Sequence, residues 1–404
     1  MQNRRVVVTG IGVVSSIGIG KNEFWNNLIS GKSGISEVEA FDTSKYENHR
    51  GGEVKNFNPS DFIDQDKIRN TGRASQFGIA AAKLALEDGR LNMDSVVVDR
   101  VGAIMGTTMA DSQRLEEMDK AWIERGEEGV ASYLISQYPG NSISSSIGYE
   151  LNIKGVVSAI PTACSAGNYS IGYSYDLIRT GKMDAVLAGG SDSFSRVAFT
   201  GFNRLFAVAP EKCQPFDKNR KGMIVGEGAG VLLLESLDGA LNRKAEIYAE
   251  ILGYAMSCDA HHMTAPSVDG IAKVMVRALK HSKIGPNDVD YISAHGTGTS
   301  ANDKAECRAV AEVFKERSRK IPINSIKSML GHTMGAASAI EAIVCCLAIN
   351  EGIIPPTINY ETPDPECDID CVPNKSRKHN VRIALNNSLA FGGNNACLVV
   401  RTYA

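Results

Sequence analysis

The 404-residue chain has no large excess of either charge and no low-complexity tract, and no N-terminal leader is expected. Its net charge of −3 excludes a nucleic-acid binder driven by bulk electrostatics, while leaving room for a local basic patch facing an acidic protein. Met1-Gln2-Asn3-Arg4-Arg5 leads straight into Val6-Val7-Val8 without the apolar h-region of a secretory signal. No apolar stretch reads as reaching the ~18 residues of a membrane helix, so a cytoplasmic protein without a membrane partner is expected. The nine cysteines are an odd number in a chain without a secretion signal, which points to reduced thiols. Cys345 and Cys346 sit in an apolar run and read as core packing. Cys367 and Cys371 are spaced like half of a metal site, but no second Cys/His pair lies nearby. They read as structural, and no metal is expected.

What is present is enough apolar sequence, 43%, for a large core in a chain whose length suggests two or three domains. Short apolar runs alternate with longer helical ones, which predicts α/β layering. The pattern predicts strands at 6–8, 101–105, 185–188, 230–235, 249–254, 291–294, 321–324, 382–385 and 397–401. It predicts helices at 77–87, 141–149, 166–179, 271–282, 304–314 and 336–349. A weak repeat appears. Cys164 precedes an apolar helix, a strand, a Gly-rich turn (226–230) and another strand, and His332 precedes the same series ending at 391–395. The 226–230 turn runs into a strand and not a helix, so it is no dinucleotide loop.

Three separated segments carry chemistry: Thr162-Ala163-Cys164-Ser165-Ala166-Gly167, Ala294-His295-Gly296-Thr297-Gly298-Thr299 and Lys327-Ser328-Met329-Leu330-Gly331-His332. Alone, each Cys or His is more often structural than reactive. A thiol among small residues at a helix start, plus two imidazoles in Gly-rich turns after strands, reads as covalent thioester chemistry. Ala and Gly neighbours permit a strained nucleophile turn, and the helix N-terminus favours a thiolate. Two neutral imidazoles can donate N–H bonds to a developing enolate oxygen.

These segments, with the opening Arg5-Val6-Val7-Val8-Thr9-Gly10-Ile11-Gly12 and Asn387-Ser388-Leu389-Ala390-Phe391-Gly392-Gly393-Asn394-Asn395, resemble the β-ketoacyl-acyl carrier protein synthases, in their elongating Cys-His-His branch. The resemblance spans nearly the whole chain. It implies the thiolase fold: duplicated βαβαβαββ halves, 1–250 and 251–404, in a five-layered α/β/α/β/α block. It makes Cys164 the nucleophile and His295 and His332 the decarboxylation pair. Lys327 would then balance charge around the second histidine and pair with Glu306. Phe391 would gate the acyl pocket and share an oxyanion hole with the Cys164 N–H. Thr297 and Thr299 would bind the pantetheine arm, near the loop 259–264. The segment 106–111, with Met109, would face the acyl chain. Lys67, Arg69, Arg73 and Arg204 would meet the acyl carrier protein.

Initiating synthases carry Asn where His332 stands, thiolases a second Cys in the loop at Phe391, and chain-length factors no nucleophile. The implied reaction is decarboxylative condensation with malonyl-carrier protein in fatty-acid elongation. No cofactor is implied beyond the carrier's phosphopantetheine. A homodimer is the expected assembly. The segment 106–111 and Leu389-Ala390 depart from fatty-acid members and keep open a type II polyketide or polyene ketosynthase paired with a chain-length factor.

Overall fold

The computed structural model describes residues 4–403. Ten principal strands and seven helices position the site. In the first half they are β1 (Val6–Ser15), α1 (Arg73–Asp88), β2 (Val101–Gly106), α2 (Ser142–Glu150), β3 (Val157–Ile160), α3 (Ala166–Arg179), β4 (Ala185–Asp192), α4 (Arg196–Arg204) and β5 (Gly228–Ser236). In the second half they are β6 (Ala249–Cys258), α5 (Val268–His281), β7 (Tyr291–Ser293), α6 (Ser300–Phe314), β8 (Ile323–Asn324), α7 (Ala337–Glu351), β9 (Ile383–Ser388) and β10 (Asn394–Arg401).

The strands run β3-β2-β4-β5-β1 in the first half and β8-β7-β9-β10-β6 in the second. Numbered within each half, both orders are the same, and so are their parallel and antiparallel pairings. The division falls between residues 242 and 249, because β6, which begins at Ala249, pairs as the first strand of the second half. Only three register pairs, Val6↔Ile251, Val7↔Glu250 and Val8↔Ala249, join the two halves into one sheet.

α3 and α7 pack between the two half-sheets, α1 and α2 cover the outer face of one, and α5 and α6 cover the outer face of the other. That makes five layers. The apolar all-round sequence of α7 follows from its place at the centre, where neither face meets water. Contrary to the sequence reading, residues Met334–Glu351 form a stretch of 18 with mean hydropathy 1.4, long and apolar enough to span a bilayer; 83% of it is buried inside this fold. On the outer face, Gly10 and Gly12 of β1 let α1 lie against the strand. A Cβ at either would stand 2.1 or 1.8 Å from the carbonyl oxygen of Ala85 or Ala81.

All nine predicted strands and six predicted helices occur, the helix 166–179 with the expected ends and the others with shifted ends. β3, α4 and the helices Lys21–Ile29 and Ser112–Arg125 were not anticipated. Ser112–Arg125 is largely polar on its surface, so its sequence shows little apolar period.

Candidate active site

Cys164 sits on a single 3-10 turn, Ala163–Ser165, between the end of β3 and the start of α3. Ala163 has φ 49°, a left-handed conformation that costs a non-glycine residue energy and aims the next side chain sharply off the strand. The second half repeats the device: Met334, with φ 52°, precedes Gly335-Ala336 and α7. The sulfur's counterpart there is Gly335, so only one copy of the turn bears a nucleophile. The turn is held by the opposite half, since Ser165 Oγ donates to the Asn394 carbonyl at 2.7 Å and Ser388 Oγ to the Cys164 carbonyl at 3.0 Å.

Burial pushes the Cys164 thiol up to about 12, with Lys327 pulling it down and Asp192 pushing it further up. A helix N-terminus supplies at most ~2 kcal/mol, about 1.5 pH units, which leaves the thiol protonated at neutral pH. Burial and the helix N-terminus thus act on the thiol in opposite directions.

The two imidazoles face each other edge-on, with ring centroids 5.4 Å apart and planes at 81°. Burial, helped by the Lys327 charge, drives both well below the ordinary histidine value, so both are neutral. His332 Nδ1 lies 3.1 Å from the Met334 N–H and accepts from it, which places the ring proton on Nε2. Lys327 Nζ lies 3.5 Å from His295 Nδ1, leaving Nε2 as the donor there too. Two Nε2–H groups thus remain for a ligand.

Glu306 holds the first histidine in place. Its carboxylate accepts the backbone N–H groups of His295 at 2.9 Å and Gly296 at 2.8 Å. Gly296, with φ 37°, admits no side chain: a Cβ would meet Ser325 Cβ at 2.6 Å. Glu306 does not pair with Lys327, as the sequence suggested. Lys327 Nζ instead bonds Glu341, on α7, and donates to the His295 carbonyl at 2.6 Å. The lysine thus bonds the first histidine directly and reaches the second, His332, through its charge. Glu341 had no signal in the sequence, because a single Glu in an apolar helix looks like a solvent-side residue until both faces prove covered.

Burial pushes Glu306 up to about 7, against its two N–H donors. It is protonated below neutrality and ionised above, and the ionised form is the one its two donors favour. Turnover should therefore lose its acid limb near pH 7 in Glu306→Gln, along with about tenfold in rate as one N–H faces an amide NH2. A pH–rate profile in which the limb persists would reject this role.

Cys164, His295 and His332 line one cleft of about 610 Å³, mouth included, together with Thr297, Thr299, Leu389, Ala390 and Phe391. Phe391 opens a turn whose Gly392 and Gly393 have φ 81° and 75°, and its ring lies 5.6 Å from that of Phe202. The loop 259–264 contributes Asp259, His262, Met263 and Thr264 to the same cleft. Adjacent His261 does not line it. Thr297 and Thr299 share a hydroxyl contact of 2.9 Å, and Thr299 Oγ also caps α6.

Asp192, missed in the sequence, closes the far side of the turn. Its carboxylate accepts the Thr107 hydroxyl, three backbone N–H groups at 108–110, and the Gly335 N–H. Burial lifts it to about 6. This anchoring fixes the backbone of Met109, whose side chain lies outside the cleft.

The basic cluster proposed for a protein partner also separates. Arg73 is bidentate to the buried Glu227 at 2.9 and 2.7 Å and donates to the Val54 carbonyl, so it ties strands and loops together and offers no free charge. Lys67 bonds Asp64 and Glu150. Arg69 stacks 5.0 Å over the Tyr133 ring. Arg204 is exposed at the end of α4. Cys367 and Cys371 are core residues, and among the described residues no group of three or more His, Cys, Asp or Glu is placed to hold a metal.

The duplicated five-layer fold and a Cys/His/His cleft at its centre define a thiolase-type acyl-condensing scaffold. The descriptions "Beta-ketoacyl synthase, N-terminal domain" and "C-terminal domain" match residues 3–240 and 248–361, and the chain belongs to this family of enzymes. It is 37% identical to the 3-oxoacyl-[acyl-carrier-protein] synthase 2 of Staphylococcus aureus (strain COL), over 100% of this chain and 99% of that one. The same identity and coverage hold for the enzyme of that name from Synechocystis sp.. Among solved structures it is similar to the ishigamide ketosynthase/chain length factor (TM-score 0.97, 44% identity, 100% of both chains). It is also similar to AntDE:AntF, a type II polyketide acyl-carrier protein in complex with its ketosynthase (TM-score 0.92, 36% identity, 100% of both chains).

Proposed function

We propose that this chain is a 3-oxoacyl-[acyl-carrier-protein] synthase that extends an acyl chain by two carbons in fatty-acid elongation. The observation that carries this reading is the convergence of one thiol and two neutral Nε2–H imidazoles on a single cleft. The first half supplies the nucleophile and the second half both histidines. Cys164 attacks the acyl thioester; its proton leaves with the carrier thiol, so the exchange balances without a separate base. The backbone N–H groups of Cys164 and Phe391 take the oxyanion. Malonyl-carrier protein then enters, Thr297 and Thr299 holding its pantetheine arm. His295 and His332 donate to the thioester carbonyl as CO2 departs. The enolate attacks the acyl-Cys carbonyl, the 3-oxoacyl carrier protein leaves, and the sulfur recovers a proton from solvent.

Release of labelled CO2 from malonyl-carrier protein, with product analysis, tests this. His332→Ala should lower decarboxylation ~10²–10³-fold, the cost of one oxyanion donor. Wild-type rates in that variant would refute the donor role.

The partner is the acyl carrier protein, and the assembly is a dimer through β3. This strand ends the sheet with one edge unpaired, and Tyr149, on the helix α2 that packs against it, is exposed. A second reading is a polyketide or polyene ketosynthase paired with a chain-length factor. Its support is the 44% identity and TM-score of 0.97 to the ishigamide ketosynthase/chain length factor. All nine cysteines are free, in keeping with a reducing cytoplasm.

A further inference from the structure

Two neighbouring strands carry the histidines to one place. β7 and β8 run parallel with Ser293 opposite Asn324. The turn that follows β7, with His295, and the segment that follows β8, ending at His332, therefore leave the sheet at the same end. How the two rings stand relative to each other depends on the hydrogen bonds between these segments.

His295 and Gly296 are buried, and all four of their backbone polar atoms are paired. Charged side chains take three of them: Glu306 accepts both N–H groups, and Lys327 donates to the His295 carbonyl. The fourth has a neutral partner, since Ser325 Oγ donates to the Gly296 carbonyl at 2.6 Å. Ser325 follows β8 directly and is fully buried. Its own backbone is held without the hydroxyl. The Ser325 N–H donates to Thr357 Oγ1 at 3.0 Å, and the Ser325 carbonyl accepts Ser328 Oγ at 2.9 Å. His332 is tied elsewhere, its N–H donating to the Ile224 carbonyl at 2.6 Å and its carbonyl accepting the Gly226 N–H at 2.9 Å. The hydroxyl of Ser325 thus spans from the segment of the second histidine to the turn of the first. Without it the Gly296 carbonyl would be buried and unpaired. A glycine offers little resistance to rotation, so that peptide would turn toward another donor and carry the His295 ring with it.

We infer that Ser325 is a positioning residue for condensation: its hydroxyl sets the His295 imidazole against that of His332, so that both Nε2–H groups meet one thioester carbonyl. This rests on the condensing function proposed above. Ser325 does not line the cleft and touches no reacting atom. Acyl transfer to Cys164 draws on backbone N–H groups and on neither ring, so the two half-reactions respond differently to its loss.

The test is Ser325→Ala and Ser325→Cys in the full chain, with the two half-reactions read separately. Release of labelled CO2 from malonyl-carrier protein should fall about 10–100-fold in Ser325→Ala, as for a donor moved off its mark. Acylation of Cys164, followed by mass, should keep the wild-type rate. Ser325→Cys should recover most of the CO2 release, because a thiol can serve a nearby carbonyl, as Cys213 Sγ serves that of Thr297 at 3.3 Å. Wild-type CO2 release from Ser325→Ala overturns the inference. So does an equal loss of acylation, which would make Ser325 a residue of folding alone, and so does a Ser325→Cys protein as slow as Ser325→Ala. If the wild type releases no CO2, the condensing function fails, and ring geometry is read by itself. In protein labelled with 15N-histidine, Ser325→Ala should then shift the ring signals of His295 and leave those of His332 in place. Unshifted His295 signals reject the positioning role.

Discussion

Cys164→Ala should abolish acyl transfer, with a loss of about 10⁴-fold or more in condensation, because no other thiol lines the cleft. The protein should still fold. The change removes one sulfur from a turn held by Ser165 and Ser388, and both of their bonds go to main-chain carbonyls. Mass spectrometry of the chain after incubation with acyl-carrier protein reads the result directly. Wild type gains the acyl mass and the variant does not, while their melting curves agree closely. Acylation at another cysteine would reject the assignment. A pH dependence accompanies it. Because burial holds the thiol up at about 12, alkylation of Cys164 by iodoacetamide should climb through pH 7–9 without levelling off. A plateau near pH 6–7 would show a resting thiolate, and the helix dipole would then outweigh burial.

Lys327→Met should be the most damaging change to stability in the site. Lys327 and Glu341 are both almost fully buried, and the lysine also satisfies the His295 carbonyl. Removing one partner of a buried ion pair costs ~3–5 kcal/mol, equivalent to about 4–6 °C in Tm for a chain of this size. The sign of the pH dependence follows from Glu341. Its folded value is already raised to about 7 from 4.5, and losing Lys327 raises it further. A carboxyl raised in the folded state costs nothing below its unfolded value, and its cost grows as pH rises above that. The gap in Tm between variant and wild type should therefore be small at pH 5 and wide at pH 8. Lys327→Met/Glu341→Leu should recover stability without recovering turnover, since the first histidine still lacks its support. A Lys327→Met protein that melts with wild type at pH 8 would refute the pairing.

Much of this site was legible in the chain because its reactive groups sit in short motifs with local rules. The Cys164 turn combines small residues with a following helix, and the His295 turn needs Gly296 where no side chain fits. Period and strand-forming runs placed the framework elements in the same way. The failures have one physical origin. Arg73 read as a free surface cation until its bidentate partner Glu227, 154 positions away, came within bonding distance. Glu306 read as the partner of Lys327 for the same reason. Glu341 and Asp192 gave no signal at all.

The sequence by itself determined the α/β layering, the repeat of strand, turn and helix, and the identity of the thiol and two imidazoles. Those depend on side-chain periodicity and on conformations available within a few residues. Tertiary structure alone decided which carboxylate meets Lys327, which ring nitrogen of each histidine carries the proton, and how deeply the thiol is buried. Each of those depends on burial and on partners brought from distant segments. The cost of leaving a charge or an N–H unpaired away from water sets the arrangement, and that cost exists only after the layers have closed.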